Sequence, residues 1–327
     1  MRVKLTEEET NLRYILSPYR KEYDKIRGFW YPNIMFLSQL NYRSKIVNTD
    51  INGLRYNNIK KKKNKSIFVN SYKKNSLLIG SSVVFGIGAS SDKNTISSYL
   101  SNKNEIFLNF GCRAYNQFQE IIFFLTKFNR IKNINKIVIL SGINDIFLFN
   151  NQYISNDFPG PIYWNNKYVD TMNNLANNEN RIFKKINFSF LKFKKEKSKK
   201  RNLITFDEVL SRNFSIWRLI AKSLNIRITF ILQPYLYWCK KFSKEEEKIL
   251  TYIKLRRDYY LYKKIAKYHQ KYKSIYSNTC KKNGINFYDS NDYIKSNSTS
   301  KDFLFIDSTH LNNAGNKKIS EFIKKIL

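Results

Sequence analysis

Short apolar runs recur along the chain at Leu77 to Ile79, Glu105 to Phe110, Lys136 to Leu140, Arg227 to Leu232 and Ile285 to Tyr288, and each reads as a buried strand. Helical stretches alternate with them. Asn116 followed by Gln119 forms a capping-box pattern, and the apolar Ile121, Ile122, Phe124 and Leu125 continue it as a helix. Ser243 with Glu246 repeats that start signal, opening a long charged helical region that Asn283-Gly284 is placed to stop. The last helix spans roughly 313–326, with Ile319, Phe322, Ile323 and Ile326 on its apolar face. Strands alternating with helices predict an α/β fold in which crossover helices cover a sheet of five parallel strands.

At 327 residues and 42% hydrophobic, the chain is longer than a minimal five-strand α/β unit needs. The surplus falls in two places. Residues 1–75 precede the first strand of the pattern and read as an accessory β-rich segment that packs on the α/β domain. It holds an aromatic cluster, Phe29-Trp30-Tyr31-Pro32, and a hairpin turn signal at Asn52-Gly53. Residues 76–327 form the α/β domain, with an insertion at about 146–205. That insertion carries Pro159-Gly160-Pro161-Ile162-Tyr163-Trp164 and then a Lys-rich portion, and its position suits a substrate wall or lid.

Charge changes the picture less than its size suggests. Lys plus Arg number 59 against 25 Asp plus Glu, a net charge of +34. Apart from 60–65 and 192–201 the cations are dispersed and accompany no nucleic-acid-binding motif, so no specific nucleic-acid partner is expected. A chain rich in Lys, Asn, Ile, Tyr and Phe and poor in Gly and Pro has the composition of an A/T-rich gene, and that accounts for much of the excess. The remainder suits an anionic substrate, whose approach a positive field speeds. Cys112, Cys239 and Cys280 are odd in number and lack metal-ligand spacing, so neither a disulfide framework nor a metal is expected. The amino end has no apolar leader-like run and no run is long enough to span a bilayer, which makes a soluble cytoplasmic protein the expectation.

Candidate chemistry is concentrated at strand ends. Asp307-Ser308-Thr309-His310 contains one of only two histidines, and an Asp three positions before a His can orient its imidazole and support the charged form. The run Leu77 to Ile79 leads into Gly80-Ser81-Ser82, where a serine projects into the crevice at the carboxyl end of a parallel sheet. Ser82 is the better nucleophile candidate of the two. Asn109-Phe110-Gly111-Cys112-Arg113-Ala114 and Gly142-Ile143-Asn144-Asp145 each follow a strand-like run as well. The other histidine, His269, lies in a Lys- and Tyr-rich helical stretch and reads as surface or partly packed.

Taken in order, these four segments resemble the four blocks of the SGNH hydrolases, also called GDSL esterases and lipases, from Leu77 to the C-terminus. The resemblance implies a three-layer α/β/α, flavodoxin-like domain. It also implies that Ser82 is the nucleophile, His310 the general base and acid, and Asp307 the residue that orients the histidine. The oxyanion would be held by the Asn144 side chain and the main-chain N–H groups of Ser82 and Ala114, with Gly80, Gly111 and Gly142 structural near the site. Two residues depart from the family pattern. Ala114 stands where it has glycine, acceptable if the backbone angles there are ordinary, and Ser81 stands where the name-giving motif has Asp.

The implied activity is that of a serine esterase or O-acyltransferase without a cofactor, acting on ester groups of a carbohydrate or other small, anionic substrate. The O-acetyl carbohydrate reading draws on the Asn48 to Arg55 segment and on Leu232-Gln233-Pro234. Two alternatives stand beside it: a lysophospholipase- or lipase-type hydrolase, and a non-catalytic module of the same fold that binds anionic glycan or nucleic acid.

Overall fold

The computed structural model describes residues 14–57, 74–150 and 204–327, apart from 16, 32, 240 and 255–258, with short pieces at 154–155, 158–159, 171 and 174. Nine strands are described: β1 Gly28–Tyr31, β2 Met35–Ser38, β3 Lys74–Gly80, β4 Glu105–Gly111, β5 Ile134–Ser141, β6 Ile154–Ser155, β7 Phe158–Pro159, β8 Arg227–Leu232 and β9 Asn286–Asp289. Five of them form one parallel sheet in the order β4-β3-β5-β8-β9. The chain starts in β3, steps outward to β4, then returns past β3 to β5. Strand order therefore reverses at β3, and a crevice opens at its carboxyl end, where open α/β sheets bind ligands.

Alternation along the strands builds a core on each face of the sheet. Leu77 and Ile79 of β3, Ile137 and Ile139 of β5 and Phe230 of β8 join one cluster, covered by the helices Gln117–Leu125, Phe206–Leu224 and His269–Lys282. Leu78, Val138, Leu140 and Ile231 join the other, covered by Ile96–Leu100, Lys244–Lys254, Ser290–Asn297 and Asn313–Ile326. The result is a three-layer α/β/α sandwich.

The start signals act as their chemistry dictates. Asn116 and Gln119 form a reciprocal capping box, and Thr205 with Glu208 forms another at the head of Phe206–Leu224. Glu246 does more than cap. One carboxylate oxygen accepts from Ser243 N, and the other takes Leu304 N at 2.9 Å and Phe305 N at 3.2 Å, fixing the approach to the Asp307–His310 loop.

Amino-terminal residues pack onto this sandwich. β1 and β2 pair as an antiparallel hairpin whose turn includes Asn33 in the left-handed region, while Asn52-Gly53 turns the chain between Thr49 and Arg55, which form an isolated bridge. Arg55 is fully buried. Its Nε donates to Asp92 at 3.0 Å, and its other nitrogens donate to Tyr23 Oη, to the carbonyls of Phe85 and Gly86, and to Ile46 O. Of the 146–205 insertion, the structure describes residues 146–150, the β6–β7 pair, residues 171 and 174 and the last two residues; the Pro159 to Trp164 segment beyond Pro159, and the Lys-rich portion, lie outside the described residues. Among the described residues no helix is long and apolar enough to cross a membrane.

Candidate active site

Glycines let the site close. Gly80 ends β3, and a Cβ there would stand 2.3 Å from Leu140 O, so the turn can lie against β5 only without a side chain. A Cβ on Gly111 would stand 2.1 Å from Phe85 N, because the end of β4 packs directly on the helix Ser82–Phe85. Between these constraints Ser81 and Ser82 face opposite ways. Ser81 is buried with its Oγ 3.4 Å from Gln233 Oε1. Ser82, first residue of the short helix, meets His310, with 2.7 Å between Oγ and Nε2.

His310 sits on a closed loop. Phe305 and Leu311 bridge its ends, Ile306 N donates to His310 O, and Leu236 N donates to Ser308 O. Asp307 completes the line: its Oδ2 is 2.6 Å from His310 Nδ1, while its Oδ1 accepts the main-chain N–H groups of Thr309 and His310 at 2.9 and 2.8 Å. Burial alone would raise the Asp307 carboxyl, but the charge and hydrogen bond of His310, with those two N–H groups, overcome it and hold the carboxyl well below the usual range. An ionised Asp307 has no proton to give, so Nδ1 carries the hydrogen and Nε2 is left to accept from the Ser82 hydroxyl.

The Ala114 and Asn144 segments are tied to each other. Asn144, near the start of the helix Ile143–Asn150, donates from Nδ2 to Tyr115 O at 2.7 Å and so tethers the loop that carries Ala114. Gly142 just before it has φ +113, a turn that needs glycine. The condition set on Ala114 is not met, since its φ is +60, in the left-handed region, where a side chain costs about 1–2 kcal/mol. The strain falls on the Cβ and leaves the main-chain N–H of Ala114 free of any penalty as a donor. Asn144→Ala should lower turnover of an ester substrate by about 100- to 1,000-fold. Steady-state kinetics equal to wild type would remove Asn144 from the oxyanion site.

Sequence reading missed two groups here. Asp145 follows Asn144 with no local sign of burial, yet it is buried and accepts from Gln117 N at 3.2 Å, tying the Asn144 helix to the helix after Ala114. Burial pushes its carboxyl up to about 7, against the hydrogen bonds from Gln117 and its own main chain. Glu120 beside it is raised too, by burial and by the charge of Asp145. Folding thus favours the neutral form of Asp145. The stability it contributes is full below the ordinary Asp range, near 3.9, and is lost as pH rises from there towards 7. Asp145→Asn keeps the shape and cannot ionise. Its stability relative to wild type, measured by chemical denaturation, should therefore be greater at pH 8 than at pH 5; a constant difference would contradict the burial argument.

Arg20 is the second missed group, with Nη1 3.3 Å from Asp307 Oδ2. Only a Ser17-Pro18 helix start and an Arg20/Asp24 pair four residues apart hinted at a helix there.

Other expectations are corrected or completed by the structure. The sequence suggested no metal cluster, but His269, Asp289 and Asp292 place ligand-type atoms within 4.8 Å of one another. Each already has a partner: His269 Nε2 is 2.7 Å from Asp289, and Lys273 pairs with Asp292. His269 is partly buried and stacks on Trp238. The two segments that suggested carbohydrate have internal roles. Gln233 knits β5 to the strand-end turns through Ser141, Ser81 and Asn291, and the Asn48 to Arg55 segment carries the buried Arg55 and its partners. A basic cleft of about 500 Å³ beside Arg218, Lys222, Arg227 and Lys282 lies at the start of β8, the opposite end of the sheet from Ser82.

No family model matches the chain, and no curated protein does. Esterases and lipases recur among the solved structures similar to it. A GDSL-like lipase from Bacteroides thetaiotaomicron VPI-5482 is 14% identical, over 77% of this chain and 87% of that one, with a TM-score of 0.41. An acetylxylan esterase from Geobacillus stearothermophilus is 14% identical, over 80% and 96%, at 0.40. The aryl esterase of M. smegmatis is 9% identical, over 78% and 100%, at 0.42. Likenesses this distant transfer no residue roles.

Proposed function

We propose that this chain is a serine hydrolase of ester bonds in the manner of the SGNH hydrolases, with an acyl-serine intermediate on Ser82. The observation that carries the reading is the unbroken line from Ser82 Oγ through His310 to Asp307, at 2.7 and 2.6 Å. As Oγ attacks the ester carbonyl, Nε2 takes its proton and Asp307 stabilises the imidazolium through Nδ1–H. The carbonyl oxygen becomes an oxyanion, received by Asn144 and the N–H groups of Ser82 and Ala114. His310 then protonates the leaving alcohol. Water attacks the acyl-serine by the same route in reverse, and a sugar hydroxyl in its place would make the enzyme an O-acyltransferase.

Short O-acyl esters of carbohydrates or related small molecules are the proposed substrates, anionic ones favoured by the net charge of +34. Two measurements test this. A fluorophosphonate probe should label the wild-type protein and not Ser82→Ala, and absence of labelling in both would favour a non-catalytic binding module. A panel of nitrophenyl esters of increasing chain length, with and without candidate sugars, should show fastest turnover with acetyl; a preference for long chains would favour a lipase.

A further inference from the structure

The helix Arg20–Lys25 touches three parts of the site at once. Arg20 reaches Asp307. The Tyr23 hydroxyl lies 2.8 Å from Gly86 O and 2.6 Å from Ala89 O, immediately after the Ser82 helix. Arg113, next to Ala114, donates to Tyr23 O at 3.0 Å and to Ile26 O at 2.6 Å. Base loop, nucleophile turn and oxyanion loop, separated by long stretches of sequence, are thus joined by one six-residue element that lies outside the four blocks.

We propose that Arg20 is a positioning residue for the reaction, an inference that rests on the serine-hydrolase reading. Asp307 Oδ1 is filled by two main-chain N–H groups, and Oδ2 receives the imidazole. The Arg20 guanidinium, 3.3 Å from Oδ2, takes the remaining acceptor direction, so the carboxylate cannot rotate away from the imidazole. Arg20 Nη1 also lies 3.5 Å from His310 Nδ1, a nitrogen already donating to Asp307, so it stands beside the ring without bonding to it. The charged groups around Arg20 are Asp307, His310 and Asp24, whose Oδ1 is 3.8 Å from Nε. With Arg20 only 9% exposed, the guanidinium is shielded, and its bond to Asp307 is stronger than a surface pair.

The test compares Arg20→Ala and Arg20→Lys in the full chain. Arg20→Ala should lower kcat by about 10- to 100-fold, the scale of a slight misplacement of reacting groups, with KM changed by less than about twofold. Arg20→Lys should recover part of the loss, and so should guanidinium ion added to Arg20→Ala below denaturing concentration. The downfield proton resonance of the His310–Asp307 hydrogen bond should move in Arg20→Ala and stay in place in a Lys21→Ala control. A rise in KM with kcat preserved would make Arg20 a substrate contact and overturn the proposal. Equal loss in both variants, with a lowered Tm and no response to guanidinium, would overturn it in favour of a purely structural brace, and unchanged kinetics would overturn it outright. Wild-type activity that survives in Ser82→Ala would sink the serine-hydrolase reading instead, and the proton resonance, which needs no substrate, would still report on Arg20.

Discussion

Ser82→Ala and His310→Ala should each reduce turnover of an activated acetyl ester by on the order of 10,000-fold or more. Ser82 Oγ and His310 Nε2 are 2.7 Å apart, so the hydroxyl has a base in contact before substrate arrives. Without the imidazole that hydroxyl keeps its proton and is a weak nucleophile; without the hydroxyl the imidazole has nothing to activate. The two act as one unit, so the double variant should be little worse than either single one. The proposed oxyanion donors and the substrate-binding surface remain in all three, leaving a small residual rate. Each variant should fold, because Ser82 is small and partly exposed and the His310 loop is closed by its own main-chain bonds. A folded Ser82→Ala protein that keeps a tenth of wild-type turnover would remove Ser82 from the chemistry.

Arg55→Ala should destabilise the protein by about 3–5 kcal/mol, the range for removing one partner of a buried ion pair. Arg55 and Asp92 have side chains 0% and 1% exposed, so Asp92 would be left charged with no water to replace the guanidinium. Asp92 also accepts from Asn48 N and Nδ2, which softens the loss without neutralising the charge. The carbonyls of Phe85 and Ile46 lose a donor as well, while that of Gly86 keeps the Tyr23 hydroxyl. A fall in Tm of roughly 10 °C is the expected reading for a chain of this size. Arg55→Ala,Asp92→Ala should recover part of it, since the orphaned charge is then gone. A single-variant loss below about 1 kcal/mol would mean that water reaches Asp92, contrary to the burial argument.

Local chemistry made much of the sandwich legible. β3, β4, β5 and β8 are apolar on both faces and were read as strands because a sheet covered on both sides demands it. Capping boxes at Asn116 and Ser243 are contacts between residues three apart, so they too are written locally. The hairpin of β1 and β2 was not read. β1 carries half-buried and exposed aromatics with no apolar-polar alternation, and the turn rests on Asn33 adopting a left-handed conformation that Asn tolerates but does not announce. The strain at Ala114 was hidden for the same reason, since no alanine declares a positive φ.

Residue type and order along the chain determined which groups were available: a serine after a buried strand, an Asp three positions before a His, an Asn and three glycines at strand ends. The motif favoured Ser82 over Ser81, but only the tertiary structure set its hydroxyl against a histidine 228 positions away and turned Ser81 towards Gln233. It alone brought Arg20 to Asp307, 287 positions apart, and buried Asp145 and Arg55. The physical reason is common to all three. Sequence spacing fixes which side chains share a turn or a face, whereas burial and pairing of charge depend on how distant elements pack, and that packing is set by the whole sheet and the helices laid across it.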